Sequence, residues 1–305
     1  MCFPSVPPSV HFSGNHKHMR DFSRSHEWLS LNTATVKKQW KLDHIIDECA
    51  RRNIRAINPW RDQVAEIGLT KITQQLRTTG ITLSGYCRGG FYPATDAAGL
   101  KAALEDNRRA IDDAKTLGAP CLVLVVGALP GALTGKPAHH DIARARSEVR
   151  DGIAASLAYA RTVDMPLAIE PLHPMQAAER ACVNTLEHAL DLCDELDPSR
   201  SGALGVAVDV YHVWWDPKLQ QQITRAGKDR LLAFHVCDWL IPTRDLLNDR
   251  GMMGDGVIEI QKVRGWMEES GYAGFTEVEI FSEHWWAQPG GEVLDTCIAQ
   301  FHGAV

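Results

Sequence analysis

Residues 204–212 read Leu204-Gly205-Val206-Ala207-Val208-Asp209-Val210-Tyr211-His212: a short apolar run that ends on a carboxylate and reaches an imidazole one helical turn later. A run of this length and composition suits a strand buried on both faces, and such strands belong to parallel sheets. The pattern recurs on either side. Leu167-Ala168-Ile169-Glu170-Pro171 ends on Glu170, Leu231-Leu232-Ala233-Phe234-His235 ends on His235, and Phe275-Thr276-Glu277-Val278-Glu279-Ile280 carries Glu279. Parallel sheets collect functional groups at the carboxyl ends of their strands. Four successive runs, each with one polar group at that end, therefore predict a shared site.

Working outward, eight strands are expected, at 28–32, 54–59, 81–87, 120–126, 166–170, 204–209, 231–236 and 275–281. Amphipathic stretches of helical length separate them. In 36–52, Trp40, Ile45, Ile46 and Cys49 share one side, and 100–117 spaces Leu104, Ile111, Ala114 and Leu117 in the same way. Eight alternations without a composition break predict an α/β protein, a single (β/α)8 barrel of the TIM type, over residues 27–305. A doubly wound sheet would want a GxGxxG after its first strand, and the sequence has none there. Residues 1–26, with Pro4, Pro7 and Pro8, are expected to form a loose N-terminal tail. Longer loops are expected at 127–141 and 238–256, which are rich in Gly, Pro and polar residues.

Composition narrows the function. The chain has 305 residues, 45% of them hydrophobic, and a formal net charge of −6, which disfavours a nucleic-acid partner. No apolar run has the length of a membrane span, and the eight cysteines include no CxxC pair. The expectation is a cytoplasmic enzyme with reduced thiols and a small-molecule substrate, compatible with a homo-oligomer. Three carboxylates and one imidazole make a hard donor set, suited to one divalent metal such as Mn, Mg or Co.

The chain resembles the xylose-isomerase-like barrel superfamily, in its branch of sugar phosphate isomerases and epimerases. The resemblance rests on Glu170-Pro171, on Asp209-Val210-Tyr211-His212, and on His235-Val236-Cys237-Asp238. It rests also on Arg250 with Gly254-Asp255-Gly256, on Val278-Glu279-Ile280-Phe281, and on the opening Ser30-Leu31-Asn32-Thr33 and Ile57-Asn58-Pro59-Trp60. It implies metal binding by Glu170, Asp209, His235 and Glu279, with Glu170 and Glu279 doubling as an acid/base pair on a keto sugar or derivative. It further implies that His212 and Arg250 bind substrate oxygens, Arg250 from the end of a long loop over the mouth.

Two departures bear on the reaction. Gln176 stands where ketose 3-epimerases carry a further glutamate, and His173, a candidate proton donor, lies between it and Glu170. With Trp215 and Trp239 as expected aromatic walls for the substrate, these residues point to an alternative: a lyase or dehydratase that uses the same enolate on a keto-inositol or 3-keto glycoside. An abasic-site DNA endonuclease shares the barrel but needs further histidines, and here its Asp-Arg-His triplet reads Asp249-Arg250-Gly251. Glu277 shares the facing of Glu279 one layer deeper, and is expected to pair with a buried Arg or Lys.

Overall fold

The computed structural model describes residues 19–305. Its strands are β1 Leu29–Asn32, β2 Ala56–Asn58, β3 Thr82–Leu83, β4 Tyr86–Gly90, β5 Leu122–Val125, β6 Leu167–Ile169, β7 Leu204–Asp209 and β8 Leu231–Val236. A hairpin of β9 Asp238–Trp239 and β10 Arg250–Gly251 follows, and then β11 Thr276–Val278. The large sheet runs β3-β2-β1-β11-β8-β7-β6-β5-β4, and every pairing in it is parallel.

The expected third strand, 81–87, is two pieces. β3 pairs with β2 and β4 pairs with β5, so they are the two ends of one interrupted barrel position. The break falls at Ser84-Gly85, where a side chain on Gly85 would stand 3.0 Å from Asn58 Nδ2. The Cys87 N–H donates to Pro59 O at 3.1 Å and closes the ring beyond the break. The result is a (β/α)8 barrel, as the alternation predicts.

Period-2 alternation sorts each strand into two layers. Leu167, Ile169, Val206, Val208, Phe234 and Val236 face outward into the core shared with the helices. Ala168, Ala207 and Ala233 point inward and pack with Cys87, Cys121 and Val123. Two residues after each of these alanines come Glu170, Asp209 and His235, so the ligand-type residues sit on the inner face directly above a layer of small side chains.

Helices flank the sheet. The one expected over 36–52 begins only at Leu42 (Leu42–Arg51), because Thr33–Val36 forms a separate 3-10 turn capped by Asn32. The helix Ala97–Leu117 matches its expectation and ends on Gly118 in the left-handed conformation. The loop expected at 238–256 contains the β9–β10 hairpin. Of the expected tail, residues 1–18 lie outside the described ones. The rest is not loose: Arg20 pairs with Glu268 at 2.9 Å and Phe22 stacks on Phe301 at 4.8 Å. Among the described residues, the seven cysteines are buried and unpaired, and no helix is long and apolar enough to cross a membrane.

Candidate metal centre

The four strand-end residues converge. One ligand atom from each of Glu170, Asp209, His235 and Glu279 lies within 4.8 Å of the others, and all four side chains are buried. Strand register brings this about, since Asp209 sits beside His235 across β7–β8 and His235 beside Glu277 across β8–β11. Past the end of β11, the Glu279 amide still donates to Val236 O at 3.0 Å, which holds the last glutamate level with its neighbours.

Each member has a defined environment. Asp209 Oδ1 accepts the Tyr211 N–H at 2.8 Å and so caps the short helix Val210–Val213, which carries His212. Burial opposes ionisation of Asp209, but Arg250, His212 and His235 outweigh it and hold its pKa at about 2. His235 Nδ1 lies 3.1 Å from Glu170 Oε1 and 3.7 Å from Glu279 Oε2. Burial disfavours its charge, yet Glu277, Glu170 and Glu279 together raise its pKa well above that of free histidine. Burial pushes Glu170 up to about 7, against the pull of His235.

His212 Nδ1 lies 3.1 Å from the His173 amide nitrogen, and its Nε2 lies 3.2 Å from Arg250 Nη2 and 3.5 Å from Asp209 Oδ2. Burial lowers the pKa of His212 to about 3, so the ring is neutral at physiological pH.

Arg250 does not reach over the mouth from a loop. It lies on β10, 3% exposed, with Nη1 donating to Asp209 Oδ2 at 2.9 Å and to Glu279 Oε2 at 3.1 Å. Its guanidinium rests 4.4 Å from the centre of the Tyr211 ring. The hairpin folds the chain back under the mouth, which loop composition alone does not reveal. Glu277 also differs from expectation, since among the described residues no Arg or Lys pairs with it. It accepts from Asn32 Nδ2 at 2.8 Å, Asn58 Nδ2 at 2.9 Å and Ser84 Oγ at 2.8 Å, and His235 Nε2 stands 3.6 Å away. Asn32 donates as well to Glu279 Oε1 at 3.0 Å and accepts from Trp60 Nε1 at 2.8 Å. Asn32, Asn58 and Ser84 are thus supporting residues that sequence reasoning left without a role; polar residues at the inner ends of the first strands were the available signal.

A cavity of about 220 Å³ opens beside the cluster. Glu170, Gln176, His212, Arg250 and Glu279 line it, whereas Asp209 and His235 do not. Lys37, Trp60, Arg88, Arg180 and Phe281 also line it. His173, Trp215 and Trp239 are not part of that wall. His173 Nδ1 accepts the Met175 N–H at 3.3 Å to cap its own turn, and its ring stacks on Trp239 at 5.0 Å. The Trp215 indole donates to His212 O at 2.8 Å. These three side chains form a layer around His212.

The xylose isomerase-like TIM barrel family matches this chain over residues 46–297. No curated protein sequence matches it. Among solved structures, protein SMc04130 from Sinorhizobium meliloti 1021 is 53% identical, covers 92% of this chain and 99% of its own, and superposes with a TM-score of 0.87. The IOLI protein, solved with a bound zinc atom, is 18% identical over 91% of this chain and 99% of its own (TM-score 0.75). The 3-keto-D-glucoside 4-epimerase YcjR from E. coli is 14% identical over 88% and 97% (TM-score 0.69). At those two identities the likeness is one of fold. The match over most of the chain settles membership: this protein belongs to the xylose isomerase-like TIM barrel family.

Proposed function

We propose that the chain is a divalent-metal-dependent isomerase or epimerase, acting on a small keto sugar or derivative by removing and returning a proton beside its carbonyl. One observation carries this reading: Glu170, Asp209, His235 and Glu279 converge within 4.8 Å in a buried group next to a cavity. The donor set fits a cation. Glu170, Asp209 and Glu279 are buried together with Glu277 beneath them, and among the described residues Arg250 is the one arginine paired with the cluster. Buried carboxylates in such excess call for further positive charge. When bound, a divalent ion supplies Lewis acidity at a carbonyl oxygen. Manganese, magnesium and cobalt suit the hard donors, and the zinc in the IOLI protein adds zinc to the candidates.

The remaining chemistry belongs to the chain's own residues. Glu170 and Glu279 are the two carboxylates of the quartet that line the cavity, which supports them as the acid/base pair. A pKa of about 7 suits Glu170 to exchange protons near neutrality. Arg250, fixed by two carboxylates, and His212 both line the cavity, which supports them as the groups that bind substrate oxygens. At about 220 Å³ the cavity is smaller than the ~300–1,000 Å³ typical of drug-sized ligands, which favours a sugar-sized substrate.

Elimination would begin with the same proton removal but needs a donor for the departing oxygen. His173, the residue suited to that task, lies outside the cavity wall with its ring stacked on Trp239, which favours isomerisation. A multi-metal nuclease is disfavoured because Trp60 and Cys87 line the cavity where further imidazoles would be needed. The test combines metal content with isotope exchange. Wild-type protein should retain one divalent ion per chain, Asp209→Asn should lose most of it, and metal-loaded enzyme should incorporate deuterium from heavy water beside the carbonyl of a keto sugar. A product of unchanged mass supports isomerisation, whereas loss of water or an aglycone assigns the lyase. Normal turnover by Glu279→Gln would end the two-carboxylate reading.

A further inference from the structure

Among the described residues, two arginines in the cavity wall form no ion pair. Every other described arginine that is not exposed holds a carboxylate within 3.6 Å; examples are Arg61 on Asp106, Arg225 on Asp194 and Arg264 on Glu268. Arg88 and Arg180 are half-buried and line the cavity, yet among the described residues neither side chain makes an ion pair or a hydrogen bond. Carboxylates are not scarce, because the chain has 38 acidic residues against 32 lysines and arginines.

Their placement is built into the fold. Arg88 lies on β4, which pairs with β5. Arg180 belongs to the stretch after β6 whose backbone brackets Gly127, just beyond β5: the Gly127 N–H donates to Arg180 O and the Cys182 N–H to Gly127 O, both at 2.9 Å. The two residues therefore flank the carboxyl end of the same strand. The Arg88 guanidinium lies over the rings of Phe91, at 4.2 Å, and Trp60, at 5.6 Å, which orient it and cover part of its surface. Burial lowers its basicity, and the nearby charge of Arg180 adds to that effect. Two like charges held close in a partly dry wall, with five N–H donors apiece, are a receptor for an anion.

We propose that Arg88 and Arg180 recognise an anionic substituent of the substrate, a carboxylate or a phosphate ester, at the β5 side of the cavity. The proposal rests on the sugar-processing reading above and narrows it to sugar acids or sugar phosphates. A neutral sugar would leave both guanidinium groups without a partner, whereas an anion there would anchor the end of the substrate away from the reacting carbonyl.

Three ligands of matched skeleton test it: D-gluconate, D-glucitol 6-phosphate and D-glucitol, none of which carries a ketone or aldehyde, titrated calorimetrically into the metal-loaded protein. One of the two anions should bind at least about tenfold more tightly than D-glucitol, and the tighter of them identifies the substituent. Arg88→Gln and Arg180→Gln should each remove about tenfold or more of that affinity. The Lys variants should keep part of it, and Arg77→Gln, on an exposed helix face, none of the loss. Equal binding of all three ligands would overturn the proposal, as would unchanged anion affinity in folded Gln or Lys variants. If anions bind through these arginines but no keto sugar of any charge exchanges deuterium, the site stands and the enzymatic reading falls. If neutral keto sugars turn over as fast as their anionic counterparts, the enzymatic reading stands and the site falls.

Discussion

Replacing Arg250 by alanine should destabilise the metal-free protein and make its stability depend on metal. The guanidinium pairs with Asp209, fully buried, and with Glu279, 5% exposed, and among the described residues it is the only Lys or Arg that forms an ion pair with either. Breaking a buried ion pair by deleting one partner costs roughly 3–5 kcal/mol, because a charge stays behind without compensation. At ~2–4 °C per kcal/mol for a domain of this class, the melting temperature should fall by about 6–20 °C. A saturating divalent ion supplies charge to the same carboxylates, so most of the loss should disappear when metal is added. Scanning calorimetry of wild type, Arg250→Ala and Arg250→Met, each with chelator and with excess metal, reads both effects. Arg250→Met keeps much of the packing on Tyr211 and Phe281, which separates lost charge from lost contact. A metal-free Arg250→Ala protein that melts within ~2 °C of wild type would refute the role of Arg250 as internal counter-ion.

Metal binding should weaken in acid. Glu170, at about 7, and His235, raised well above the ordinary histidine value, hold protons in the metal-free protein that an ion must displace. Affinity measured by competition with a chelator should fall by about tenfold or more per pH unit below 7, and a flat profile from pH 5.5 to 8 would contradict this. At the other end of the barrel, Asp197 and Arg230 are both fully buried and paired at 2.9 Å, so Asp197→Ala should cost roughly 3–5 kcal/mol in denaturant unfolding. Burial alone would raise the pKa of Asp197, but hydrogen bonds from Ser201 and the charge of Arg230 depress it below the usual 3.8. Its contribution to stability is therefore present above pH 3.8 and lost as pH falls through the depressed value, so the variant should lack that part of the acid transition. In the strand that carries Asp209, Gly205→Ala would bring Cβ within 2.4 Å of Arg230 O, and a loss of about 1–3 kcal/mol should show as a lower melting temperature.

The metal quartet was legible because each member is a charged or imidazole residue closing an apolar run, a pattern that both sheet physics and ligand chemistry make conspicuous. The barrel was legible for the same reason, through its alternation. The break at Ser84-Gly85 was not, since it depends on how closely Gly85 approaches Asn58 on the neighbouring strand β2. Arg250 was read as a loop residue because the hairpin that buries it consists of two two-residue strands, too short for any periodicity. His173, Trp215 and Trp239 were expected at the substrate because aromatic residues near a mouth can face either way, and only the packing of His173 on Trp239 decides which. Arg88 and Arg180 went unremarked because an arginine in a sequence carries no sign of whether a carboxylate will meet it.

Glu277 on β11 and Glu279 just past its end stand two residues apart, at successive depths, and the amide of Asn32 gives one proton to each. The deeper carboxylate keeps Asn58 and Ser84 as further donors, so it remains satisfied if the shallower one is exchanged. The barrel interior is in this respect redundant below and spare above. Substitutions in the upper layer can redirect the chemistry while the polar plug beneath continues to orient His235 and hold the first three strand ends together. A barrel wired in this way can change its reaction without first having to rebuild its core.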